Sequence, residues 1–118
     1  MKNFDKSKEK INNIIDAFDF LGKQLRSHVD SKHEAVKPTS SLDKAAELAS
    51  IQNAWFTLAN IHSAFCNWGD VLRRDNMVNW LSAYPQPEWN NQTVGLVLAG
   101  NLPLVGFHDV ICLSLIHI

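Results

Sequence analysis

Cysteine is scarce in this chain: two in 118 residues, Cys66 and Cys112, with no CxxC spacing and no histidine pattern beside them. Neither a zinc site nor a disulfide framework is indicated. No apolar run approaches the ~20 residues needed to span a bilayer. Neither sign of charge dominates, and a formal net charge of −1 leaves no electrostatic footprint for nucleic acid. The first ten residues, MKNFDKSKEK, lack the apolar centre of a signal peptide, so the expectation is a cytoplasmic protein. Internal repeats, low-complexity tracts and a GxGxxG phosphate loop are also missing. What remains is an ordinary globular composition, 46% hydrophobic and 19% charged, enough for one small domain.

Helical periodicity fills most of that domain. Phe4, Ile11, Ile14, Ile15, Phe18, Leu21 and Leu25 recur at spacings of three, four and seven, which predicts an amphipathic helix over about residues 3–27. Lys6, Lys8, Glu9, Lys10 and Asp16 fall off that face and are expected in solvent. Gly22 is tolerated inside it at about 1 kcal/mol. The stretch 28–41 loses the period, and Ser40 or Ser41 is the expected N-cap of the next helix. That second helix is predicted from Leu42 to about Asn67. Its wide apolar arc implies packing on more than one side, and its alanines imply close approach of a neighbour. Gly69 is expected to break the pattern. A third helix follows over residues 70–83, with Val71, Leu72, Met77, Val78, Trp80 and Leu81 inward and Arg73, Arg74 and Asp75 facing water. In YPQPEWNN two prolines at i and i+2 exclude helix. Residues 84–92 are therefore a linker between a helical region, 1–83, and a different C-terminal segment, 93–112.

That segment has its own grammar. Residues 94–99, VGLVLA, read as a short buried strand. Gly100 stops it, Asn101 and Pro103 form a turn, and Gly106 and Phe107 lead into a helix. An asparagine at the carboxyl end of such a strand points toward the ligand crevice, where its amide can donate to a substrate oxygen. From context alone, a turn asparagine chosen for its backbone tolerance explains Asn101 as well.

The run GLVLAGNLPLVGFHD resembles the signature of the long-chain acyl-CoA reductase family, the LuxC-like fatty-acid reductases of the aldehyde dehydrogenase superfamily. The specific likeness covers residues 94–109; NWGDVLRRDNMVNWL and the PQPEW linker are similar in kind to the family's N-terminal region. The resemblance implies an α/β parent enzyme with a Rossmann-type cofactor domain. This chain is then its N-terminal fragment, mostly α-helical with one short strand, inactive alone. Residues 93–112 become the start of the cofactor domain. Asn101 matches the asparagine that helps bind the thioester or aldehyde oxygen, and the odds on its role shift to catalysis. Leu98, Ala99 and Gly100 match backbone beside the nicotinamide end of NADPH. The implied substrate is a fatty acyl-CoA or acyl-carrier thioester, reduced to an aldehyde through an acyl-enzyme on cysteine. In the family that cysteine lies well after the motif. Neither Cys66 nor Cys112 matches it, and each is expected to be a buried structural thiol. The full-length enzyme could form a homo-oligomer.

Other candidates carry less. His108 and Asp109 are sequence neighbours and a poor acid–base pair; Asp109 suits a helix start. His28, His33 and His62 lack metal-ligand spacing. Trp55, Phe56, Phe65, Trp68 and Trp80 could line an acyl tunnel, but aromatics at helical spacing are more often core. The last six residues, LSLIHI, resemble a translated sequencing adaptor, so 113–118 are expected to be a non-native tail. The rival function is a non-enzymatic helical interaction module in which the C-terminal segment packs as a further helix.

Overall fold

A computed structural model describes residues 2–31, 40–84 and 93–116. Five helices account for most of them: α1 Lys2–Ser31, α2 Ser41–Gln52, α3 Leu58–Val71, α4 Arg74–Ser82 and α5 Phe107–Ile116. α1 is the spine. Ile15, Gly22, Leu25 and His28 are buried along one stripe, flanked by half-buried Ile11, Ile14, Phe18, Leu21 and Val29. Lys6, Lys8, Glu9, Lys10 and Asp16 are exposed, as the periodicity predicted.

α2 begins at the expected serine. The Ser40 hydroxyl accepts from the Asp43 amide at 3.0 Å, and the Ser40 amide donates to Asp43 Oδ2 at 3.1 Å, a reciprocal capping box. The other Asp43 oxygen accepts from Nδ1 of buried His28, tying the start of α2 to α1. The His28 ring meets Phe65 of α3 edge-on, with centroids 5.0 Å apart. Burial opposes the Asp43 charge, but the Ser40 hydroxyl and amide and the His28 ring outweigh it. Together they hold the carboxyl down at about 2.

The helix predicted from 42 to 67 is two helices. Asn53 leaves helical geometry (φ −133°, ψ 112°), and its side-chain oxygen accepts from the Trp55 amide at 3.0 Å. Thr57 then caps α3 by accepting from the Asn60 amide at 3.2 Å. Short polar side chains compete here for backbone groups that a continuous helix would use. Trp55, one of the aromatics expected to be core, lies in this break and is exposed.

Gly69 does not break a helix; it lies buried inside α3, and the break falls at Leu72 and Arg73. A Cβ on Gly69 would stand 3.0 Å from Arg26 Cγ of α1. On the other side, a Cβ on Gly22 would run into the Leu72 carbonyl oxygen and lie 2.9 Å from Leu72 Cβ. Two glycines thus let α1 and α3 approach at backbone distance, and the Arg26 guanidinium donates to the Gly69 carbonyl across the contact. Leu72, completely buried, closes the crossing.

α4 is held from outside itself. Its first amide, on Arg74, donates to Asp19 Oδ1 of α1 at 3.0 Å, and Lys23 lies 2.7 Å from the other Asp19 oxygen. The Lys23 ammonium and the Arg74 amide hold the Asp19 carboxyl below its ordinary value. Arg74 itself bonds to Asp16 rather than facing only water.

α5 completes the core. Phe107 meets Phe18 and Trp68 edge-on at 6.1 and 5.1 Å, and Ile111 and Leu115 are buried with the helices of the 1–83 region. The first residues of the 113–118 stretch therefore continue α5. Asp109 sits in its first turn, as expected. Of the predicted linker, Tyr84 packs edge-on against Trp80 at 5.6 Å; residues 85–92 lie outside the described residues. The strand expected over 94–99 is not formed: among the described residues no segment forms a β-ladder, and 93–99 belong to no helix or strand. A parallel-type strand needs backbone partners alongside it, and helices supply none. Among the described residues, no helix is long and apolar enough to cross a membrane.

Gly22→Ala should lower stability by roughly 1–3 kcal/mol, the usual cost of overpacking, despite alanine's better helix propensity. Urea unfolding of the two proteins checks this; equal or higher stability would contradict the close crossing. Asp43→Ala should cost roughly 2 kcal/mol at pH 5, from a pKa lowered to about 2 against an unfolded value near 4. Because the folded pKa is the lower one, that difference should be full above pH 4 and shrink as pH falls through 2. A wild-type advantage independent of pH would contradict it.

Candidate functional site

Residues 93–106, TVGLVLAGNLPLVG, contain no charged side chain, yet they run along the outside of the helical body. Val97 is 98% exposed, and Val94, Leu96, Leu98, Leu102 and Val105 are each exposed by more than a third. So many aliphatics on one unpaired segment are unusual on a monomer and resemble an open sheet edge.

The segment is nevertheless anchored at its tip. The Asn53 amide donates to the Gly100 carbonyl at 3.0 Å, so the α2–α3 break that polar side chains create also fastens this turn. The Leu98 side chain occupies the space where a Cβ on Gly106 would stand, which folds the ribbon back against the entrance to α5. A side chain at residue 106 would displace Leu98 from this position. At Gly100 nothing lies within 4 Å of a notional Cβ, so its backbone is open to an approaching group.

Asn101 follows. It is exposed, and among the described residues its amide has no hydrogen-bond partner. The chain does not coil helically through it: bends lead into a turn over residues 103–106. Leu104 in that turn has φ 58°, the left-handed region that costs a branched residue roughly 1–2 kcal/mol. Packing holds it there, since Leu104, Pro103 and Phe107 form one wall of a cavity of about 230 Å³ between α1, α2 and α3. Leu98, Ala99, Gly100 and Asn101 thus lie on one exposed stretch that leads into the cavity wall at Pro103.

The remaining candidates separate. Cys112 Sγ is 3.6 Å from His108 Nδ1, one helical turn away. Partial burial, and secondarily the Asp109 charge, push the Cys112 thiol up, so it rests protonated and is not an activated nucleophile. Both cysteines are half-buried rather than enclosed. His108 and Asp109 are 4.0 Å apart and exposed, a pair worth little. His28 is a core histidine. Phe65 is core and Phe56 half-buried, while Trp68 and Trp80 line a second cavity of about 330 Å³ with Met77 and His108. Sequence reasoning missed Asn53 and Leu104. An asparagine four residues before a threonine cap was an available signal for the first; nothing local marks the second.

Comparison of the chain with protein-family models, with curated proteins and with solved structures gives no match in any of the three.

Val97→Lys should leave thermal stability within about 0.5 kcal/mol of wild type while reducing self-association, because a fully exposed side chain gives up no packing. Thermal unfolding and light scattering read the two effects. A loss of several kcal/mol would show that residue 97 is packed.

Proposed function

We propose that this chain is the N-terminal part of an acyl-CoA reductase, an enzyme that reduces a fatty acyl thioester to an aldehyde with NADPH. The observation that carries the proposal is the ribbon of residues 93–101: uncharged, rich in exposed aliphatics, without a ladder partner among the described residues, and ending on an exposed asparagine amide. A segment of that composition is suited to the interior of a sheet, and the parent's α/β cofactor domain supplies one. Asn101 would donate its amide to the thioester carbonyl and stabilise the oxyanion formed when a cysteine thiolate attacks. That cysteine is supplied outside this sequence, which agrees with the resting thiol of Cys112. The open backbone face at Gly100 fits one edge of a nicotinamide site, with Leu98 and Ala99 beside it. When bound, NADPH supplies the hydride. A cytoplasmic setting and a homo-oligomeric full-length enzyme belong to the same proposal.

One observation favours the rival reading, a helical interaction module: α5 contributes Ile111 and Leu115 to the same core as the other helices. Sequencing the coding region beyond Cys112 separates the two. An open frame with a cysteine nucleophile is expected; a native stop codon supports the module. In the extended protein, Asn101→Ala should lower NADPH-dependent acyl-CoA reduction by about 10²- to 10³-fold in kcat. An unchanged rate would overturn the assignment.

A further inference from the structure

The cavity beneath the candidate turn has features that a packing defect does not explain. Leu21 and Leu25 of α1 line one side, Leu42, Ala45, Ala46 and Ala49 of α2 a second, and Phe56, Ile61 and Phe65 a third. Pro103, Leu104 and Phe107 close it. No charged or polar side chain lines it, and its volume of about 230 Å³, partly open to solvent, is larger than the ~150 Å³ apolar cavity that accepts benzene. Three alanines on one helix face leave room that leucines would fill. The wall over it is held in a backbone conformation that Leu104 adopts at a cost. Such strain persists where the surroundings enforce it, and it clusters at ligand-holding walls. That wall begins two residues after Asn101, so the chain that carries the carbonyl donor also covers an apolar chamber.

From this juxtaposition we infer that the α1–α2–α3 cavity is a binding site for an unbranched alkyl chain, the tail of the substrate whose carbonyl end meets Asn101. Its assignment to an acyl thioester rests on the reductase reading; its affinity for alkyl chains does not. The lining is apolar throughout, with an open side at the Ala45 rim, and offers no group to pair with a charged or hydroxylated tail, so selection is by hydrophobic burial and length. Each methylene buried should tighten binding by up to about four-fold until the chamber is full, after which affinity should level off. Ala45 and Ala49 are the residues that set this length, because larger side chains there project into the chamber.

The test titrates the 118-residue chain with butan-1-ol, hexan-1-ol, octan-1-ol and decan-1-ol, followed by methyl NMR shifts of Ala45, Ala46, Ala49 and Leu104. Octanoyl-pantetheine and pantetheine form a second arm. The expected result is saturable shifts at these methyls, affinity rising with chain length to a plateau, and at least ten-fold weaker octan-1-ol binding in Ala49→Leu with thermal stability retained. Ala45→Leu, at the more exposed rim position, serves if Ala49→Leu fails to fold. Shifts that are absent, scattered over the surface, or unchanged by both filling variants would overturn the alkyl site. Alcohols that bind as expected while octanoyl-pantetheine binds no tighter than octan-1-ol, with Asn101→Ala without effect on either, would uphold the alkyl site and count against the reductase reading alone.

Discussion

The close crossing of α1 over the end of α3 governs everything else in this molecule. Two glycines, Gly22 and Gly69, remove the side chains that would hold the helix backbones apart, and Leu72 and Arg26 fill the space between them. α3 ends at Leu72 beside this contact, and α4 starts where Asp19 of α1 accepts its first amide. At the other end, α2 is drawn onto α1 by the contact between His28 and Asp43. The same crossing leaves a gap on the α2 side, which small alanines widen rather than fill. α5 then seals the opposite flank through Phe107, Ile111 and Leu115.

Against this helical body, residues 93–106 stand out as an uncharged segment with many exposed aliphatic side chains. It is tied down at Gly100 and beyond. Asn53 holds the Gly100 carbonyl, and Pro103 and Leu104 pack into the cavity wall. The arrangement fixes the turn at 98–101 while leaving its outer face available. An exposed amide at Asn101, two residues before the wall of an apolar cavity, is the juxtaposition that the proposed substrate, a polar carbonyl on an alkyl tail, would use.

Much of the helical body was legible in the sequence because its signals are local. The α1 stripe follows from spacing alone, and Ser40 announces the capping box three residues before Asp43. The failures are equally physical. Gly69 reads as a breaker because propensity is a property of the isolated helix, whereas its value here comes from Arg26, 43 residues away. The break at Asn53 has no glycine or proline to mark it; ordinary polar side chains make it by taking over backbone hydrogen bonds. The 94–99 strand was inferred correctly as to composition and incorrectly as to state, since a ladder is a relation between two segments. The candidate turn could be located from sequence, but its anchoring by Asn53 and the strain at Leu104 are tertiary facts.

Amide hydrogen exchange tests the central claim most directly, that a packed helical body carries an exposed segment which the proposed cofactor domain would pair into a sheet. In the 118-residue chain, amides of 94–99 should exchange at close to unprotected rates, while those of Leu25, Phe65 and Leu72 should be protected to the limit set by global unfolding. In a longer polypeptide containing the proposed cofactor domain, the same six amides should become protected. Protection of 94–99 equal to the core in the short chain, or its continued absence in the longer one, would contradict the account.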